Sequence, residues 1–161
     1  MVMGTYRQRL REEHGFTLVE LMVVILNLSI LILIALPTMA GALERVRDAA
    51  SKASLRTGLT AGRVFFVTGE GDYTGATLTD LTQVESSIIW VTEATLSTAP
   101  KTLSRDVTGG VLTLASYSNS QTCFFVRDDP PNDLTYGRID DAAPVDCFAA
   151  NNGAVTFGPT W

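Results

Sequence analysis

Histidine occurs once among the 161 residues, at His14, and cysteine twice, at Cys123 and Cys147. A chain so short of imidazole and thiolate hardly assembles a nitrogen–sulfur metal centre or a histidine-activated nucleophile, so enzyme readings start at a disadvantage. No catalytic residue is assigned. Positive charge is scarce as well: 12 Lys and Arg stand against 17 Asp and Glu, for a net charge of −5, and the basic residues are scattered along the chain. The electrostatic footprint of a nucleic-acid surface is missing from this pattern, and no nucleic-acid partner is expected.

What the sequence has in excess is one apolar run. From Phe16 to Leu36 only Thr17, Glu20, Asn27 and Ser29 are polar. At 1.5 Å per residue such a helix spans about 30 Å, enough to cross a bilayer once. Ahead of it Arg7, Arg9 and Arg11 outnumber Glu12 and Glu13. Positive-inside logic therefore keeps the N-terminus cytoplasmic and sends the C-terminal part across the membrane. A carboxylate inside the span costs about 2–3 kcal/mol on insertion scales, so Glu20 is expected to have a function and a partner. A secretory signal peptide would have a shorter apolar region and a small-residue cut site, for which "TMAG" at Thr38 to Gly41 is a poor match. A plain anchor explains the length of the run but leaves Glu20 unexplained. Either would deliver a binding domain, membrane-anchored or secreted, that never polymerises.

The stretch "GFTLVELMVVI", Gly15 to Ile25, resembles the processing site and first helical turns of type IV prepilins and of type II secretion pseudopilins. The resemblance implies that a membrane-embedded peptidase cuts between Gly15 and Phe16 and that the new terminus, Phe16, is N-methylated. It also implies that Glu20 pairs with the N-terminal ammonium of a neighbouring subunit. Residues 1–15 are then the leader, 16–37 the hydrophobic helix of the membrane and filament core, 38–67 an amphipathic continuation, and 68–161 a globular domain. The implied partners are copies of the chain itself in a helical homopolymer, the prepilin peptidase and methyltransferase, the assembly platform with its ATPases, and the inner membrane before assembly. No cofactor is implied. A pilus subunit on the cell surface is the leading reading and a secretion pseudopilin the alternative. Elementary electrostatics agrees: a carboxylate in a low-dielectric setting needs a cation, and a slip in register would leave two buried charges unpaired.

Pro37 removes a helical N–H and clashes with the carbonyl four residues back, so a kink or local melting is expected there, with Gly41 weakening the next turn. Pro37 also matches a proline of the family motif and is assigned with Phe16 and Glu20 to assembly. Beyond it Leu43, Val46, Ala50, Ala53, Thr57, Ala61 and Val64 recur at three- and four-residue spacing. This stripe is expected to pack on a sheet.

"TGEGDYTG" from Thr68 ends the helix as a plain turn, and Thr79 is expected to cap a short helix after it. Strand-like runs follow at 88–92, 111–118, 122–127 and 134–139, with a further run ending at Trp161. A helix followed by strands predicts an α+β fold with an antiparallel sheet, which is also what the resemblance implies. In an oxidising compartment Cys123 and Cys147 read as one disulfide worth about 3–3.5 kcal/mol, the alternative being two buried thiols. The aspartates between Asp128 and Asp146 lack an EF-hand pattern and are assigned no metal.

Overall fold

The computed structural model describes residues 15–69 and 71–161, with backbone alone for 36–38 and 40. Leader residues 1–14, including His14 and the arginines that argue for orientation, lie outside the described residues. The chain divides into two compact units between Ala40 and Gly41.

Helix α1 (Leu18–Thr68) begins in the first unit. Leu18–Ala35 is long and apolar enough to cross a membrane, and none of it is buried. The helical assignment is uninterrupted at Pro37, which corrects the expected local melting. A missing N–H removes one bond, while the Leu-, Ile- and Ala-rich turn before it keeps its own.

In the second unit, helix α2 (Leu78–Val84) and strands β1 (Ile89–Val91), β2 (Thr102–Thr108), β3 (Val111–Ser118), β4 (Thr122–Asp128) and β5 (Thr135–Ile139) follow α1. The five strands form one sheet in chain order, parallel between β1 and β2 and antiparallel elsewhere. Strand alternation sends Leu112, Leu114, Phe124 and Val126 to one face, where α1 supplies Leu55 and Leu59. Ala115, Tyr117, Cys123 and Phe125 point to the other, which the segment around Ala142, Cys147 and Ala149 covers. The hairpin joining β2 to β3 turns on Gly109 and Gly110, both at positive φ (63° and 80°), as a two-residue turn requires.

The face of α1 that meets the sheet is not the one its apolar spacing predicts. Ser51, Leu55, Gly58, Leu59 and Gly62 are buried, whereas Leu43, Val46, Ala50, Ala53, Thr57 and Val64 are exposed and only Ala61 of that stripe is buried. Close approach is the reason. A Cβ on Gly58 would collide with the Leu103 side chain and press on Leu114 and Trp90 at 3.2 Å, and one on Gly62 would collide with Leu112. Glycine carries no hydropathic signal, so a count of apolar residues passes over it.

Three further expectations need correction. β2 was not expected, because Arg105 and Asp106 interrupt its apolar pattern; one Arg105 guanidinium N–H, at Nη1, donates to the Ala76 carbonyl and Asp106 accepts from Thr108 Oγ1 at 3.0 Å. Helix α2 is capped by Thr77 rather than Thr79: Thr77 Oγ1 accepts from the Asp80 N–H, and the Asp80 carboxylate accepts from the Thr77 N–H at 2.9 Å. The run to Trp161 is a 3-10 segment, Ala149–Ala154, followed by a single bridge in which Tyr136 and Gly158 exchange hydrogen bonds of 2.8 and 2.9 Å. Trp161 itself packs against Phe124 and Tyr136.

The two cysteines are joined, Cys123 on β4 to Cys147, with Cα atoms 5.4 Å apart across a separation of 24 residues. Both are fully buried. The bond clips the covering segment to the sheet.

Candidate functional site

The candidate site is the start of α1. Thr17 stands at its N-cap: its hydroxyl accepts the Glu20 N–H at 3.1 Å and its carbonyl accepts the Leu21 N–H at 3.2 Å. One of the otherwise unpaired N–H groups of the helix start is thus capped by the Thr17 hydroxyl, while its carbonyl begins the regular helical ladder. Glu20 sits in the first turn, where a carboxylate complements the positive end of the helix dipole. The apolar pattern drew attention to Glu20 and passed over Thr17. The Thr-x-x-Glu spacing of a capping box was the signal that could have found it.

Gly15 and Phe16 precede the helix, exposed, in non-helical backbone, with Phe16 78% accessible. A Cβ built on Gly15 would meet nothing within 4 Å. Nothing in the described chain therefore demands glycine at this position. The Gly15–Phe16 bond is exposed and lies just before a capped helix.

Along the span, Ser29 donates to the Ile25 carbonyl at 2.7 Å and so brings no unpaired hydroxyl into an apolar medium. Asn27 has no such bond among the described residues. It lies seven residues after Glu20, two helical turns, and so on the same face. One stripe of the apolar helix therefore carries both its carboxylate and its carboxamide. Pro37, placed with this site by its sequence, is within α1; its side chain is outside what the structure describes. Cys123 and Cys147 belong to the second unit. Among the described residues no group of three or more acidic, histidine or cysteine side chains is arranged to hold a metal ion.

Residues 10–36 match the family model for the prokaryotic N-terminal methylation motif. The apolar segment is a prepilin signature. Type IV pilins and pseudopilins share this motif, and it implies processing by a prepilin peptidase, a membrane-anchored precursor and assembly into a pilus-type filament. No curated protein and no solved structure matches the chain. The motif's match ends at Leu36, one residue before Pro37, and encloses Gly15, Phe16 and Glu20.

Proposed function

We propose that this chain is a structural subunit of a type IV pilus. It is made as a single-pass prepilin with its N-terminus in the cytoplasm, cut between Gly15 and Phe16, N-methylated at Phe16, and polymerised into a surface filament by an assembly platform and its ATPases. The observation that carries this reading is Glu20, a lone carboxylate in the first turn of an apolar helix that no part of the described chain covers.

Cutting after Gly15 places an ammonium on Phe16, four residues from that carboxylate. In hydrocarbon each charge is costly alone and tolerable as a pair. Pairing Glu20 with the Phe16 terminus of the next subunit fixes the axial register, and Asn27 on the same face adds a second polar contact between helices. Further along, the exposed stripe of Val46, Ala50, Ala53, Thr57 and Val64 offers a surface of small side chains on which another helix packs closely. The disulfide that brackets the acidic C-terminal loops resembles the bracket often found around a C-terminal surface region in pilins.

Glu20→Ala tests the assignment. Membrane insertion and cleavage are expected to stay intact while incorporation into sheared filaments is lost. Normal filament yield from Glu20→Ala overturns the role given to Glu20.

A further inference from the structure

The basic residues of α1 look scattered in the sequence but fall into line on the helix. Arg45, Lys52, Arg56 and Arg63 are seven, four and seven residues apart, steps that return to within about 40° of one direction at 3.6 residues per turn. Two of the four are engaged. Lys52 Nζ lies 4.6 Å from the centre of the Phe124 ring, and Arg63 is bound to Asp128. Arg45 and Arg56 are exposed and have no ion pair among the described residues. Ala49 and Ala53 lie between them on the same side of the helix, both exposed.

The opposite charge is gathered elsewhere in the domain. Between Asp128 and Asp146 six aspartates stand against Arg138 alone. Asp128 is taken by Arg63, and Asp140 pairs with Arg138 at 3.2 Å. Asp141 and Asp146 are exposed with no ion pair among the described residues, and between them Val145 is 62% accessible.

The backbone that displays these groups is pinned at both ends. The N–H of buried Ala142 donates to the Gln121 carbonyl at 2.7 Å. Cys147 is held by the disulfide, and its carbonyl accepts the Ser97 N–H at 2.8 Å. The Asp146 carbonyl accepts from Asn151 Nδ2, also at 2.8 Å.

We propose that the Asp141–Asp146 loop of one copy docks on the Arg45–Arg56 stripe of a second copy, with Val145 against Ala49 and Ala53. This rests on the reading of the chain as a polymerising subunit and names the contact between its globular domains. Both surfaces are fixed before they meet, one on a helix and one on a clipped loop, so little ordering entropy is lost on association. Two copies of a net-acidic chain repel in most orientations, and this arrangement is one in which opposite charges face each other. The two surfaces differ, so the contact is head-to-tail. Each added copy leaves one loop and one stripe free, which propagates into an open helical assembly unless the ring closes.

The test uses the full chain expressed with a prepilin peptidase and assembly machinery, with sheared filaments quantified beside the processed chain in the membrane. Asp141→Lys with Asp146→Lys, and separately Arg45→Glu with Arg56→Glu, are each expected to lower filament yield about tenfold or more, because like charges then face each other. The cut at Gly15 is expected to proceed as in the wild type. Combining all four substitutions restores opposite charge and is expected to recover the filament. The contact is overturned if either pair polymerises as the wild type does, or if the fourfold variant fails to recover. A processed wild-type chain that yields no filament overturns the polymer reading itself and this contact with it.

Discussion

Arg63 on α1 donates through Nε to Asp128 Oδ2 on β4 at 2.9 Å, and the same oxygen accepts the Tyr73 hydroxyl at 2.6 Å. One carboxylate thus ties the helix, the loop after it and the sheet. Asp128 and Tyr73 are buried while the Arg63 side chain is about half exposed, so the guanidinium brings charge into the cluster while keeping contact with water. Burial alone would push the Asp128 carboxyl up. The hydrogen bonds from Arg63 and Tyr73 and the guanidinium charge outweigh it and hold Asp128 below the usual carboxylate range. Burial, with the hydrogen bond to Asp128, pushes the Tyr73 phenol well above its ordinary value.

Asp128→Asn removes the charge and keeps the volume. It is expected to cost about 2 kcal/mol at neutral pH, less than a fully buried pair because Arg63 can return to water. The folded-state pKa of Asp128 is depressed, so its contribution is fully present above the unfolded value of about 4 and is lost as pH falls through the lower folded value. Thermal unfolding of the whole chain in detergent should show the gap between wild type and variant narrowing below about pH 4. A gap constant from neutral to strongly acid pH would contradict the assignment.

Two glycines are expected to respond in opposite ways to the same substitution. Gly58→Ala drives a methyl into Leu103 and is expected to destabilise the domain by about 1–3 kcal/mol, read from the unfolding temperature. Gly15→Ala meets open space, so the unfolding temperature should not move, while leader removal, read by gel shift, should fail. Equal stability losses at the two positions would contradict the view that one glycine answers to packing and the other to processing.

Reduction of Cys123–Cys147 is expected to lower stability by about 3 kcal/mol, since a closed loop of this length restricts the unfolded chain. Amide exchange across Asp141–Asp146 should quicken at the same time, because the clip fixes one end of that loop. Unchanged exchange there would mean that the hydrogen bonds from Ala142 and Asn151 hold the loop unaided.

The parts legible in the sequence were those written in local chemistry. The stretch from Gly15 to Ile25 carried the resemblance to the motif that the family model also matches at residues 10–36, and β-rich runs bounded by turn residues located β1, β3, β4 and β5. The parts missed depend on contacts distant in sequence. β2 carries Arg105 and Asp106 and becomes a strand through its partners in β3, with which six of its residues pair. The buried face of α1 is marked by Gly58 and Gly62, whose role appears only when Leu103 and Leu112 are set against them. The basic stripe escaped a linear reading because helical periodicity, not adjacency, assembles it.

The central claim is that Gly15–Phe16 is a processing site and that the apolar helix enters a filament with Phe16 as its terminus. The measurement that tests it most directly is intact mass with N-terminal sequencing of the chain recovered from sheared surface filaments. The account predicts a chain that starts at N-methylated Phe16. A chain that retains its leader, or one that starts near Gly41 as a freely secreted domain, would contradict it.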